Sequence, residues 1–306
     1  MAADASDGSR RVVLVALGGN LAIALAKFAA FAFTGSSAIL TEGVHSLVDT
    51  ADQVLLLIGQ SRAAKASDDS HPFGYGLEAY FWSFIVALMV FLSGGVVAIW
   101  QGVHRVLHPE PLHNLAVLLG VIAISAVSEG LSFRTAYREY RNVVRGYRVR
   151  LFRFVQVSKD PNVFAVLLED GAALIGLGLA ALGVILSGLL HLEWADGAAS
   201  IAIGLLLVVV AAVMANETRS LIAGEAAAPP IQQELSTALG HCGDLGELVR
   251  MRTLHLGPQC ILVALSWRFP DGLADSQLRA TAAELERRLT AAEPRVAFVL
   301  FERPPA

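Results

Sequence analysis

The chain has 306 residues, 55% of them hydrophobic and only 16% charged, with a formal net charge of -4. A soluble domain carries about a quarter charged residues, so this composition excludes an ordinary soluble globule, and the slight acidity argues against a nucleic-acid partner. Mean hydropathy is +0.58, with the apolar residues gathered in long runs over the first two thirds, the pattern of an integral membrane protein with a soluble tail.

The start, MAADASDGSRR, is short and polar and lacks the charged-then-apolar order of a cleaved signal peptide. The first apolar run is therefore expected to stay as a membrane helix. A span needs about 20 apolar residues. Six segments qualify, near Val12–Phe33, Ile39–Gln60, Glu78–Val103, Leu112–Phe133, Val163–Leu190 and Ala195–Ala215. Basic residues set the expected orientation. Arg10 and Arg11 precede the first span, and Arg62 and Lys65 follow the second. Arg134, Arg138, Arg141, Arg145, Arg148, Arg150, Arg153 and Lys159 crowd the fourth connection, and Arg219 follows the sixth span. The alternate loops carry almost none, Arg105 being the main exception. Both termini are expected on the cytoplasmic or equivalent inner side.

The first span carries Asn20 and Lys27. Lys27 is read either as snorkelling to the interface or as pairing with an acid. The second span, LTEGVHSLVDTADQVLLLIGQ, is the centre of the reading because it places Glu42, His45, Asp49 and Asp52 in one apolar helix. Charged groups at this depth normally face a bundle interior or a water-filled path. His45 and Asp49, at i and i+4, lie on one face and can share a divalent cation. Glu42 and Asp52 lie three residues to either side on roughly the same stripe. The competing reading is a buried polar pair that bridges helices.

The next loop, SDDSHPFGYGLEAY, holds Asp68, Asp69 and His71, which offer oxygen and nitrogen ligands, and Gly74 and Gly76, which suit a tight re-entry into the third span. Ser93, Gly94 and Gly95 permit close helix packing there. Glu129 ends the fourth span in SEGLSF, either as partner for an arginine such as Arg134 or as part of an ion path. The fifth span begins after Asp160-Pro161 and contains adjacent acids, Glu169 and Asp170. Neighbours on a helix diverge by about 100°, so the two cannot both face one centre without distortion. One binds an ion while the other accepts hydrogen bonds or carries a proton.

From Glu217 the character changes. A helix opens at Pro229-Pro230 and runs to about Gly240. Strands at Leu245–Leu256 and Cys260–Phe269 join at Gly257-Pro258. Ala274–Ala292 is amphipathic, with Leu278, Ala282, Leu285 and Leu289 on one face, and Val296–Phe301 is a last strand. The order αββαβ suits a small ferredoxin-like sandwich. Cys242 and Cys260 form neither a disulfide scaffold nor a CxxC motif, and with His241 and His255 they match no closed zinc site, so structural roles are expected. The expected domains are a polar tail at 1–11, a six-helix transmembrane domain at 12–216 and a cytoplasmic ferredoxin-like domain at 217–306.

On HSLVD, SHPFGYG and the acid-bearing fifth span, the chain resembles the cation diffusion facilitator family of divalent-metal transporters. TEGVHSLVDT, DPNVFAVLLEDGAALIGL and SEGLSF are most similar to the branch of mitochondrial zinc exporters and their bacterial relatives. The resemblance implies a site of two residues from the second span and two from the fifth. His45 and Asp49 fill the first pair, and Asp170 fits the last acid. The position four residues earlier is Val166, which cannot ligate, so Glu169 is the substitute. The implied metal set is His45, Asp49, Glu169 and Asp170, with His45 as proton carrier. A loop site from Asp68, Asp69 and His71 is weakened by Tyr75, which stands where many members have a second histidine. VRMR in the first tail strand lacks the histidine and acid of metal-sensing relatives, although dimerisation through the tail is still implied.

The implied function is a homodimeric exporter of Zn²⁺, or a similar divalent ion, driven by proton antiport in a bacterial inner membrane. It implies no cofactor beyond the transported ion and no covalent chemistry. Mixed nitrogen and oxygen ligands suit zinc better than Ca²⁺ or Mg²⁺. One rival is a metal-regulated sensor or scaffold acting through the tail. The other is a membrane enzyme using Glu169 and Asp170 as an acid/base pair.

Overall fold

The structure is a computed structural model describing residues 2–34, 37–109, 115–143, 159–240, 245–270 and 272–302. Arg145, Arg148, Arg150, Arg153, His241 and Cys242 lie outside the described residues, as does the side chain of Glu42. The chain is mostly helical with a small C-terminal sheet. Six long helices come first: α1 (Ala2–Thr34), α2 (Ser37–Ala63), α3 (Glu78–Leu107), α4 (Leu115–Val143), α5 (Pro161–Leu190) and α6 (Trp194–Ile222). Among the described residues, five of these, all but α2, are long and apolar enough to cross a membrane. The 27 residues of α2 would reach about 40 Å, but its apolar run is interrupted by His45, Asp49 and Asp52.

The helices pack as a closed ring in the order α1, α2, α3, α6, α5, α4, and α5 also touches α1 and α3. Apolar side chains of all six helices form one core that includes Val13, Leu56, Val86, Ala136, Val166 and Met214. The α3–α6 contact is set by glycine. A Cβ on Gly102 would lie 2.7 Å from the Gly197 carbonyl, and one on Gly197 would lie 2.8 Å from the Gly102 carbonyl. Any side chain there would force the two backbones apart.

Local chemistry fixes the helix ends. Asp160 caps α5 by accepting from the Asn162 N–H at 3.1 Å, with Pro161 at the first helical position. His191 closes α5 in the left-handed conformation at φ 54°. Asp160 also accepts from Ser9 Oγ at 3.2 Å, and Gln60 donates to Ser9 Oγ at 3.3 Å, so one end of α1, α2 and α5 is laced together.

The C-terminal part contains α7 (Pro229–Gly240), β1 (Glu247–Gly257), β2 (Cys260–Arg268), α8 (Asp275–Ala292) and β3 (Val296–Glu302). The sheet order is β1-β2-β3, with β1 antiparallel and β3 parallel to β2. The parallel pairing requires a crossover, which α8 supplies. Alternate residues of β2, namely Ile261, Val263, Leu265 and Trp267, are buried with Leu235 and Leu239 of α7 and Leu285 and Leu289 of α8. Leu278 differs from the sequence expectation: it sits in the first turn of α8 and is exposed.

The sheet touches the membrane helices at the loop between α2 and α3. A Cβ on Gly76 would fall 2.3 Å from the Leu256 carbonyl oxygen, and one on Gly257 would fall 2.7 Å from Gly76 Cα. Phe73 meets Phe298 edge-on at 5.3 Å between ring centres. Lys159, buried before α5, pairs with Glu225 at 2.7 Å.

Candidate metal centre

Inside the helix ring lies a cavity of about 150 Å³ whose walls carry Lys27 of α1, Asp49 and Asp52 of α2, Glu129 of α4, and Glu169 and Asp170 of α5. Ligand oxygens of Asp49, Asp52 and Glu169 all lie within 4.8 Å of one another. Asp49 and Asp52 converge because i and i+3 share a helix face. Glu169 is aimed at them by Gln53, whose Nε2 donates to Glu169 Oε2 at 3.1 Å. Asp52 is only 1% exposed, and its Oδ1 has no hydrogen-bond partner among the described residues.

The adjacent acids of α5 face different helices, as their 100° separation requires. Glu169 points at α2, whereas Asp170 meets the carboxyl of Glu129 on α4. Asp170 is 1% exposed, and its Oδ2 is also unpartnered among the described residues. His45 also lines the cavity. Its Nε2 lies 3.9 Å from Asp49 Oδ2, and its side chain keeps 44% exposure. All four sequence-predicted residues line the cavity: Asp49 and Glu169 are brought together, His45 stands beside Asp49, and Asp170 meets Glu129 on another wall. Val166, at the expected ligand position, is packed in the apolar core.

Asp52, Gln53 and Lys27 were not in the expected set. The signal for Asp52 was its i+3 spacing from Asp49, and the signal for Lys27 was a lysine inside an apolar span, read as a candidate partner of an acid; the role of Gln53 emerges only from the helix packing. The cavity wall beside α2 includes a π-helical stretch in α3, Val90–Val96, where Ser93 Oγ donates to the Met89 carbonyl at 2.6 Å. The extra residue per turn brings both Ser93 and Gly94 to the cavity.

The loop residues Asp68, Asp69 and His71 form no comparable cluster among the described residues. Asp68 instead organises its own turn. Its Oδ1 accepts from Ser70 Oγ at 2.6 Å, His71 N at 2.8 Å and Ser70 N at 2.9 Å, and its Oδ2 accepts from Tyr75 Oη at 2.7 Å. These hydrogen bonds, first those from Ser70 and Tyr75, hold its carboxyl well below the usual range. His71 stacks on Tyr75 at 3.9 Å. In the tail, His255 is fully buried and approaches the Gly257 carbonyl through Nδ1 at 3.3 Å. Burial pulls its imidazole down to about 4, and burial pushes the Cys260 thiol up.

Comparisons with known proteins agree with this architecture. The family model of the cation efflux transmembrane domain matches residues 13–223. The human mitochondrial proton-coupled zinc antiporter SLC30A9 is 33% identical over 232 residues, covering 76% of this chain and 41% of the relative. Metal tolerance protein C4 of Arabidopsis thaliana is 32% identical over 218 residues, covering 71% and 48%. Cation-efflux pump FieF of Salmonella arizonae is 24% identical over 297 residues, covering 96% and 92%. This chain therefore spans less than half the length of the first two relatives. With a match over residues 13–223 and apolar helices that embed it in a membrane, the chain belongs to the cation efflux, or cation diffusion facilitator, family.

Proposed function

We propose that this protein is a secondary active transporter that exports a divalent cation, Zn²⁺ first, in exchange for protons. The observation that carries the reading is the convergence of Asp49, Asp52 and Glu169 within 4.8 Å on the wall of an interior cavity. An apolar helix ring has no packing use for three converging carboxylates, and each is costly there unless a cation or proton neutralises it. With His45 beside Asp49, the donor set mixes nitrogen and oxygen, which favours late first-row ions over Ca²⁺ and Mg²⁺.

Ligation requires deprotonated donors, so metal entry expels protons and reprotonation expels the metal. His45 is the proton carrier nearest the ligands. Asp170 and Glu129, whose carboxyls meet, share a second proton, since like charges in contact do not both ionise. In this reading α2 completes a six-span transmembrane domain at 12–216, preceded by the tail at 1–11. The residues at 217–306 form a ferredoxin-like cytoplasmic domain that supports a homodimer. Both termini lie on the inner side of a bacterial inner membrane. The loop residues Asp68, Asp69 and His71 contribute at most a weak accessory site, and the protein acts without covalent catalysis.

The test is Zn²⁺ flux in proteoliposomes with an imposed pH gradient. Zn²⁺ movement coupled to opposite proton movement, lost in Asp49→Asn, is the expected result. Metal binding without flux would favour the sensor reading and overturn transport.

A further inference from the structure

Lys27 lines the same cavity as the five acids and is only 6% exposed. Its side chain does not snorkel to an interface. Its Nζ donates to Ser46 Oγ at 2.9 Å, which places the ammonium beside the helix face that bears His45 and Asp49. Glu129, on the neighbouring α4, lines the same cavity. A buried ammonium is expensive unless negative groups surround it, and a carboxylate cluster is expensive unless a cation sits within it. Sharing one cavity, the ammonium and the carboxylates lower each other's penalty. The flexible four-carbon stem of lysine lets the ammonium shift without moving the backbone.

We propose that Lys27 is a built-in counter-ion, which neutralises the carboxylate cluster when no metal is bound and withdraws as the metal enters. This rests on the metal-site reading above and adds a residue that tunes affinity and release. Because the metal must displace the influence of a resident positive charge, binding is weaker than the donor set alone would give. The same charge helps release, since it offers the emptied carboxylates a partner at once. Lys27 is not a ligand, because a protonated amine has no acceptor to offer.

The experiment measures Zn²⁺ binding by isothermal titration and flux in proteoliposomes for the full chain. Lys27→Gln should bind Zn²⁺ about tenfold more tightly, the effect of removing one like charge several ångströms away at intermediate dielectric. Its flux should show a lower KM and a lower maximum rate, because release slows. Lys27→Arg, which keeps the charge, should stay near wild type in affinity. A merely structural lysine would give weaker or unchanged binding in a folded Lys27→Gln protein, and that result overturns the proposal. Should Lys27→Gln fail to fold, the comparison moves to the Asp52→Asn background, where one fewer carboxylate needs neutralising. Adding Lys27→Gln there should tighten binding relative to Asp52→Asn alone, and equal affinity overturns the proposal. Asp49→Asn separates the two readings. If it leaves Zn²⁺ binding unchanged, the metal-site reading fails; if it weakens binding while Lys27→Gln does not tighten it, only the counter-ion fails.

Discussion

Gln53 donates its amide to Glu169 Oε2 at 3.1 Å, and this bond ties α2 to the one of the two adjacent acids of α5 that faces it. Glu169 is thereby held with Asp49 and Asp52, while Asp170 turns towards Glu129. The helical phase that made the pair awkward to read becomes a division of labour between two walls of one cavity.

Asp52→Asn should weaken Zn²⁺ binding by roughly 10–100-fold, the range for losing a group in or directly behind a coordination sphere. The substitution keeps shape and removes charge, so the helix ring should stay folded. Titration calorimetry of the purified protein checks this, and unchanged affinity would remove Asp52 from the site.

Glu169→Gln and Asp170→Asn should part company. Glu169→Gln is expected to lower metal affinity at any pH, because a ligand oxygen loses its charge. Asp170→Asn should keep metal binding at high pH and flatten the pH dependence of flux. Titrations at two pH values, paired with vesicle flux, distinguish the two; identical behaviour of both variants would contradict the division.

His71→Ala should leave transport within about twofold of wild type, as for an exposed substitution of about 0.5 kcal/mol or less. The oxygens of Asp68 are already taken by Ser70, His71 N–H and Tyr75. A flux loss equal to that of Asp49→Asn, with normal folding, would make the loop an essential site.

Gly76→Ala should loosen the seat of the tail on the helix ring, at a cost on the order of 1–3 kcal/mol for overpacking. Its new Cβ would fall 2.3 Å from the backbone carbonyl of Leu256, which has no rotamer with which to escape. Hydrogen exchange across 254–262 should rise in the variant, whereas unchanged protection would show that the junction yields freely.

His255 should make the tail acid-sensitive. Its folded-state value is lowered to about 4, chiefly by burial, against an unfolded value of about 6.5. A lowered value means that the unfolded chain takes the proton first. The stabilisation is therefore complete above pH 6.5 and is lost as pH falls towards 4, on the order of 3 kcal/mol in all. His255→Asn should flatten the melting temperature over that window, and a retained slope would assign it to other groups.

The elements were legible in the sequence because the patterns that announce them are local. Asp160-Pro161 marks the start of α5 through a cap and a fixed φ. The alternation of Ile261, Val263, Leu265 and Trp267 marks a strand buried on one face. Helix ends were less legible. The fourth helix runs on to Val143 and the sixth to Ile222, beyond their apolar runs. Hydropathy reports where a chain meets lipid, whereas helix hydrogen bonding continues through Arg138 and Arg141. The stripe of His45, Asp49 and Asp52 was likewise readable from 3.6-residue periodicity alone. What periodicity cannot specify is which stripe on another helix will face it. That depends on crossing angle and on contacts such as Gly102 with Gly197 and Gln53 with Glu169, made between residues far apart in the chain. The tertiary structure alone therefore chose Glu169 over Asp170 as the partner of α2, put Val166 in the core, and brought the Lys27 ammonium into the cavity with the acids.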